Sequence, residues 1–304
     1  MPERYTSGFV SIVGRPNAGK STLLNALVGS KLAIVADKPQ TTRSLVQGVW
    51  HGPNAQIVFL DTPGIHKPDS LFNRRMMDTL REALEERDLL IYIADATAPF
   101  QDAEADAIEI IGQTSTPAIL ALNKIDRLPD KGRLLPLIER YKEAWDFADY
   151  IPISALTGAG VEELRAAVLE RLPEGPPYFP EDYLTDQPER FLAAELIRER
   201  ILHETRKEVP HAVAVVVDEW EEKPRVTRIA ASIYVEREGQ KAIIIGARGA
   251  MLKKIGTLAR EEMERMFGRR IFLELFVKVQ PDWRKNPRFL DELDWRRMVG
   301  GERA

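Results

Sequence analysis

Cysteine is absent from the 304 residues of this chain. That excludes disulfides, thiolate zinc sites and thiol nucleophiles together. Histidine is nearly as scarce, with four residues. His203 and His211 do not stand in a metal-ligand pattern, so no histidine metal site is read there. No apolar run reaches the length of a membrane span. The start, Met1-Pro2-Glu3-Arg4-Tyr5, lacks the apolar stretch of a signal segment. A soluble, cytoplasmic protein is expected. Charge of one sign is also missing: 43 Lys and Arg face 47 Asp and Glu, a net of −4. Repeats and low-complexity tracts are not found either.

The length suggests two domains, each large enough for its own core. The boundary is legible at Pro173–Pro180, where four prolines fall in eight residues. These cannot continue the helix expected over Val161–Leu172, and they read as a semi-rigid linker. The expected division is 1–172, a linker at 173–187, a second domain at 188–280 and a tail at 281–304. Residues 1–179 hold 19 Lys and Arg against 24 acids, and 180–304 hold 24 against 23. Whole-domain charge therefore does not mark the second half for nucleic acid.

Residues 14 to 21, Gly-Arg-Pro-Asn-Ala-Gly-Lys-Ser, form a complete phosphate-binding loop. The loop N–H groups converge on phosphate oxygens, Lys20 reaches the β- and γ-phosphates, and the Ser21 hydroxyl can ligate Mg²⁺. The context agrees. Phe9–Val13 is an apolar strand run, and Thr22–Val28 has helical character, so the loop lies at a helix N-terminus, where anions are favoured.

Asn123-Lys124-Ile125-Asp126 follows a second strand run, Ala118–Leu122. Ligands bind at such strand ends in open α/β sheets. A carboxylate only accepts, and it can take two parallel hydrogen bonds. Guanine offers two adjacent donors, N1–H and the 2-amino group; adenine does not. Asp126 thus reads guanine. Between the two motifs, Ile57–Leu60 runs into Asp61-Thr62-Pro63-Gly64. An acid there is placed to hold Mg²⁺ through water, and Gly64 lets the backbone approach the γ-phosphate. Upstream, a hydroxyl of Gln40-Thr41-Thr42-Arg43 could complete the Mg²⁺ shell; a plain turn is the alternative. Downstream, Ile151-Pro152-Ile153 leads into Ser154-Ala155-Leu156, which could give a backbone N–H to the guanine carbonyl.

This ordered set resembles the translation-factor-related GTPases, and the wording around Asn17 and Thr41-Thr42-Arg43 narrows it to the Era-like branch. The resemblance implies a Ras-like P-loop GTPase domain with a doubly wound, mostly parallel α/β sheet. It implies GTP and GDP as ligands, held by Asn17, Ala18, Gly19, Lys20, Ser21, Thr22, Asp61, Gly64, Asn123, Lys124, Asp126, Ser154 and Ala155. It places Mg²⁺ on Ser21, Thr42 and Asp61, with Thr42 as the switch threonine. It gives Lys20, Thr42 and Gly64 the catalytic work, and it puts a monovalent cation, K⁺, beside Asn17.

Many GTPases carry Gln directly after the Asp-x-x-Gly tetrad. Here Ile65 stands there, and an aliphatic side chain cannot orient water. Slow hydrolysis, stimulated by K⁺, is expected from positioning and charge neutralisation alone. His66 is read as an exposed loop histidine rather than a base, and Arg43 as a solvated charge rather than an arginine finger.

The second half reads α-β-β-α-α-β. An amphipathic helix over Pro188–Arg206 has Phe191, Ala194, Glu195, Ile197, Ile201 and Leu202 marking its apolar face. β-rich runs follow at His211–Asp218 and Arg225–Val235. A Gly-x-x-Gly turn at Gly246–Gly249 joins an apolar segment to a basic helix, a further helix covers Thr257–Phe267, and Ile271–Val279 is the last strand. This resembles a prokaryotic, type II α+β KH domain. The resemblance implies a groove for single-stranded RNA at Gly246, Ala247, Arg248, Gly249, Lys253 and Lys254. From Gly246 to Arg270 seven basic residues face three acids, so the basic patch is local.

A GTPase followed by this KH type, with the Val235–Lys241 stretch before the turn, resembles the Era family over nearly the whole chain. The family implies binding to the 3′ end of 16S rRNA and to the 30S ribosomal subunit during its assembly. It implies a monomer that can touch the inner face of the cell membrane peripherally. A second domain that binds protein instead of RNA is the alternative. Trp283 either stacks on a base or packs the C-terminal segment. Of residues 284–304 only a short helix near Phe289–Met298 is expected.

Overall fold

The computed structural model describes residues 5–38, 40–65, 70–206, 209 and 212–295. The chain forms two compact units, Met1–Val35 with Thr42–Pro68 and Asn73–Asp186, and Ala36–Thr41 with Asp69–Phe72 and Gln187–Ala304.

The first unit is a six-stranded sheet between two helical layers. Its strands are β1 (Thr6–Val13), β2 (Val46–Gly52), β3 (Ala55–Asp61), β4 (Leu89–Asp95), β5 (Ala118–Asn123) and β6 (Asp149–Pro152). They lie in the order β2-β3-β1-β4-β5-β6, parallel except for β2, which runs antiparallel to β3. The apolar runs are continuous because both faces are covered. In β4, Leu89, Ile91 and Ile93 join one core with α1 (Lys20–Val28) and α5 (Val161–Leu169). Leu90, Tyr92 and Ala94 join the other, with α2 (Leu71–Leu84), α3 (Asp102–Ile111) and α4 (Leu134–Ala144). The shared direction of β1, β3, β4, β5 and β6 sends the loops after them to the same sheet end.

The proline-rich stretch is no free spacer. The buried Gln56 amide accepts from the Tyr178 and Phe179 N–H groups at 2.7 and 3.0 Å and donates to the Phe179 carbonyl at 2.8 Å. Val49 N–H donates to Leu184 O at 2.9 Å, and the Thr185 hydroxyl to Gln47 O at 2.7 Å. Residues as far as Thr185 are thus fastened to β2 and β3.

In the second unit α6 (Glu189–Glu204) precedes β7 (Ala214–Lys223), β8 (Val226–Val235), α7 (Glu238–Ile245), α8 (Ala250–Phe267) and β9 (Ile271–Val279). β8 pairs antiparallel with β7 and parallel with β9, giving the expected α-β-β-α-α-β order. Several local readings change. The buried side of α6 is Leu192, Ala193, Ala194, Leu196, Ile197, Arg198, Glu199, Ile201 and Leu202, wider than the expected face. Phe191 and Glu195 lie only half-buried. Gly256 does not divide α8, because it lies against Leu275 of β9, where a larger residue would crowd. Trp283 is fully buried, donates Nε1–H to Ala212 O at 3.0 Å and packs on Phe289. It packs the C-terminal segment, and base stacking by it is ruled out. The short tail helix is α9 (Pro287–Glu292); residues 296–304 lie outside the described residues.

Candidate functional site

The phosphate loop leaves β1 after Val13 and enters α1 at Lys20. Gly14 has φ +152°, and a Cβ there would sit 2.3 Å from Ile93 O; a Cβ on Gly19, at φ +105°, would meet the Asn123 amide at the same distance. Only glycine permits both the backbone conformation and the contact. Gly64 stands against the loop, with Pro16 3.0 Å from where its Cβ would be, and Ile65 N–H donates to Gly14 O at 3.2 Å.

Lys20 is buried and donates to the carbonyls of Gly14 and Arg15 at 3.1 and 2.9 Å. Burial lowers its pKa to about 8, against the pull of Asp61. Asp61 is fully buried, and that burial pushes its carboxyl up to about 6, opposed by Lys20 and by hydrogen bonds from Ser21 and Thr42. Ser21 Oγ lies 2.6 Å from both Thr42 Oγ1 and Asp61 Oδ2, and Thr42 Oγ1 donates to Asp61 Oδ2 at 3.1 Å. Thr41 turns away, its hydroxyl closing a turn on Lys38 O at 2.6 Å. This separates the two threonines: Thr42 faces the phosphate loop. Asp61 Oδ1 is buried with no hydrogen-bond partner. Three converging oxygens and one unsatisfied carboxylate oxygen are a hard donor set of the kind Mg²⁺ takes. Among the described residues no group of three His, Cys, Asp or Glu could hold a metal by itself. A divalent ion here therefore depends on the hydroxyls and on phosphate oxygens.

Asn123 ties the site together. Its Nδ2 donates to Ala18 O at 2.8 Å, and its Oδ1 accepts from Ala155 N–H at 2.9 Å. Lys124 donates to Asn17 O at 2.7 Å and to Asp95 Oδ2 at 2.6 Å. Asp126 is exposed, and its Oδ1 accepts from Ser154 Oγ at 2.6 Å. The Ser154 and Ala155 N–H groups are both engaged within the protein, Ser154's by Ala159 O at 2.8 Å. The Ser154 hydroxyl is what this loop gives the Asp126 carboxylate. Thr22 lies half-buried in the first turn of α1. Asn17 has φ 62° and is exposed, its backbone oxygen taken by Lys124.

Two acids here escaped the sequence reading. Asp95 ends β4 and holds Lys124; Glu104 in α3 accepts from Arg15 of the phosphate loop at 3.2 Å. Only a fixed spacing to the Asn-Lys-x-Asp motif would have flagged Asp95. Ile65 packs against the apolar cluster around Leu80 and Tyr92, which fits its aliphatic chemistry. Arg43 is half-buried, not solvated. His66 and His211 lie outside the described residues.

In the second unit α7 ends at Gly246, with φ 69° and ψ 179°, and α8 starts after Gly249, with φ 79°. Arg248 between them is left-handed at φ 52° and exposed, as is Ala247. Ile243, in the apolar segment before the turn, is 48% exposed. It stands there because α7 is helical and turns only Gln240 and Ile244 inward. Lys253 is exposed, while Lys254 pairs with Glu204 at 2.6 Å. Arg248, Lys253 and Lys254 all stay exposed, Lys254 with 57% of its side chain open despite its pair with Glu204.

A guanine-reading loop and a phosphate loop on a doubly wound sheet, followed by a Gly-x-x-Gly turn between helices, define a P-loop GTPase joined to a KH domain. Residues 9–124 match the family model described as 50S ribosome-binding GTPase, and residues 208–284 match the KH domain. The chain is 49% identical to GTPase Era of Geobacter metallireducens, covering 96% of this chain and 98% of that one. It is 50% identical to GTPase Era of Syntrophus aciditrophicus, over 96% and 95%. A crystal structure of a single-substitution variant of Aquifex aeolicus Era bound to GDP and AlF4⁻ superposes with a TM-score of 0.93 at 43% identity, covering 95% and 99%. A structure of Era with MgGDPNP and nucleotides 1506–1542 of 16S ribosomal RNA gives 0.93 at 42%, over 96% and 99%. The chain belongs to the Era family and is a GTP hydrolase.

Proposed function

We propose that this GTPase binds the 3′ end of 16S rRNA through the Gly246–Gly249 turn and acts in 30S subunit assembly, with bound GTP as the switch. The observation that carries the reading is the turn itself. Two positive-φ glycines flank an exposed, left-handed Arg248, with Ile243 half-exposed alongside, which suits close approach of a sugar-phosphate backbone and an unstacked base. The Era relative whose complex contains nucleotides 1506–1542 of 16S rRNA supports the choice of RNA. The site of action is the cytoplasm. Any hold on anionic lipid at the membrane's inner face falls to the same Arg248–Lys254 stretch. Among the described residues no helix is long and apolar enough to cross a membrane.

In the nucleotide site, Asp126 accepts from guanine N1–H and the 2-amino group, and Lys124 and Asn123 hold the loops that frame the base. Lys20 and the loop N–H groups hold the phosphates. Ser21, Thr42 and Asp61 would hold Mg²⁺, whose contribution is to neutralise phosphate charge. Gly64 keeps the backbone close to the terminal phosphate. Thr42 follows the phosphate into an ordered loop, as γ-phosphate contacts do in GTPases generally.

The direct test is affinity for a short oligonucleotide matching the 3′ end of 16S rRNA, at fixed salt, with GDP and with a non-hydrolysable GTP analogue. Tight binding with the analogue alone is expected. By linkage the RNA then favours the GTP form by the same factor. Equal affinity in the two states would end the coupling, and no binding in either would move the second domain to a protein partner.

Hydrolysis should also run several-fold faster in K⁺ than in Na⁺ at equal ionic strength. With aliphatic Ile65 in place of Gln, extra positive charge near the phosphates is the remaining lever, and Asn17's exposed side-chain amide is the oxygen offered for it. Phosphate release indifferent to the monovalent cation would remove Asn17 from that role.

A further inference from the structure

The inward face of α3 is Glu104, Ala107, Ile108 and Ile111. At this spacing the first position belongs to the apolar stripe. A carboxylate occupies it, 6% exposed and set among the core residues that surround Tyr92 and Tyr141. An apolar residue of similar volume would avoid the desolvation cost of a buried charge. Beside the Tyr141 hydroxyl, which also hydrogen-bonds it, two further groups hold the carboxylate. Tyr92 Oη donates to Oε1 at 2.7 Å, and Arg15 Nη1 donates to Oε2 at 3.2 Å. Tyr92 pairs in register with Val13, the last residue of β1 before the phosphate loop. Burial raises the Tyr92 and Tyr141 hydroxyls well above the usual phenol range, and the charge of Glu104 adds to it. Both phenols therefore stay protonated, and Tyr92 remains a donor.

The cation is no core residue. Arg15 is the second residue of the phosphate loop, its side chain 36% exposed, and its carbonyl accepts from Lys20 at 2.9 Å. The other outward residue of the loop, Asn17, is held through its carbonyl by Lys124, which Asp95 holds in turn. The loop is thus fastened from outside at both limbs, by acids at the end of β4 and the start of α3.

We propose that Glu104 is a positioning residue for nucleotide binding: through Arg15 it fixes the entry limb of the phosphate loop, and so the carbonyl and N–H groups that meet Lys20 and the phosphates. The inference rests on residues 14–21 being the nucleotide's phosphate loop. Glu104 meets no phosphate itself, since its two oxygens are engaged by Tyr92 and Arg15. Its effect is on how long the nucleotide stays.

The experiment is release of a fluorescent GDP from the full chain, for the unaltered protein, Arg15→Gln, Glu104→Gln and the double variant. Unfolding by urea is measured alongside, with and without GDP. Each single change should speed release by about 5- to 30-fold, and the double should be no faster than the quicker single, because both break one contact. Arg15→Lys, which keeps the charge but not the fork, should fall between. Release at the unaltered rate in Arg15→Gln overturns the proposal, as do single effects that multiply in the double. A stability loss equal with and without GDP, at unchanged release, overturns it too. Should Glu104→Gln fail to fold, the partly exposed Arg15 still decides through Arg15→Gln and Arg15→Lys. Failure of the unaltered chain to bind the fluorescent GDP would instead strike the phosphate-loop assignment beneath it.

Discussion

Asp126→Asn should weaken GTP and GDP binding by roughly 100-fold or more, and should raise the affinity for the xanthine nucleotide. On the proposed function the carboxylate would accept from two adjacent guanine donors, and hydrogen bonds to a charged group are each worth about 1.5–3 kcal/mol. An amide turns one acceptor into a donor that faces the guanine 2-amino group. Xanthine carries an oxygen at that position, so the mismatch becomes a match. The local structure favours a clean result. Asp126 is exposed, so the substitution buries nothing. Ser154 Oγ donates to Oδ1 at 2.6 Å, a bond an amide oxygen also accepts. The loop is separately pinned where Ile125 N–H donates to Ile153 O at 3.2 Å. Thermal unfolding should therefore barely change. Titration of fluorescent GDP and xanthosine diphosphate against both proteins checks it. Guanine affinity within threefold of the unaltered chain would show that Asp126 does not read the base.

The nucleotide site was legible in the sequence because its chemistry is concentrated in backbone loops with obligatory residue types. Gly14 and Gly19 are glycines because Ile93 O and the Asn123 amide leave no room for a Cβ. The partners lie far along the chain, but they demand one residue type at a fixed position, and that requirement survives as a motif. Part of the sheet was legible for a related reason: a sheet covered on both faces demands unbroken apolar runs, and β3 and β5 have them. What the sequence hid are the groups whose meaning depends on distant partners. Glu104 reads as an ordinary acid in a helix's first turn, favourable to the dipole. Only the fold brings Tyr92 and Arg15 to it. Asp95 is equally silent until β4 and β5 lie side by side, with Asp95 level with Asn123. Lys254 gave no sign of its partner Glu204, fifty residues earlier, which it meets while staying exposed.

Ala242-Ile-Ile-Ile245 has no alternation to separate strand from helix. The helix is set by its start: the Gln240 side chain reaches back to accept from the Glu236 and Arg237 N–H groups at 2.9 and 3.1 Å, satisfying donors that the first turn leaves open. Once α7 is helical, Ile243 must face outward. Trp283 carried the opposite ambiguity. Its indole suits a base or a core equally, and the buried Ala212 carbonyl decides for the core.

Gly249→Asp should lower RNA affinity by about 30- to 150-fold without unfolding the KH domain. A carboxylate held about 6–8 Å from a phosphate at an effective dielectric of about 20 costs roughly 2–3 kcal/mol. The choice between the two glycines matters. At Gly246 a Cβ would lie 2.6 Å from the Met251 Cβ, so replacement there disturbs the start of α8 and confounds folding with binding. At Gly249 nothing lies within 4 Å of the added atom. Its φ of 79° strains any side chain, but Asp tolerates that region better than most residues. Gly249→Asn supplies the control, with the same shape and strain and no charge. The Asn variant should keep most of the RNA affinity, and the Asp variant should lose it with a shallower salt dependence, because it cancels part of the positive charge that releases counterions. Nucleotide affinity, set by residues of the other unit, should be the same in all three proteins. Equal RNA binding by the Asp and unaltered chains would remove the Gly246–Gly249 turn from the RNA path.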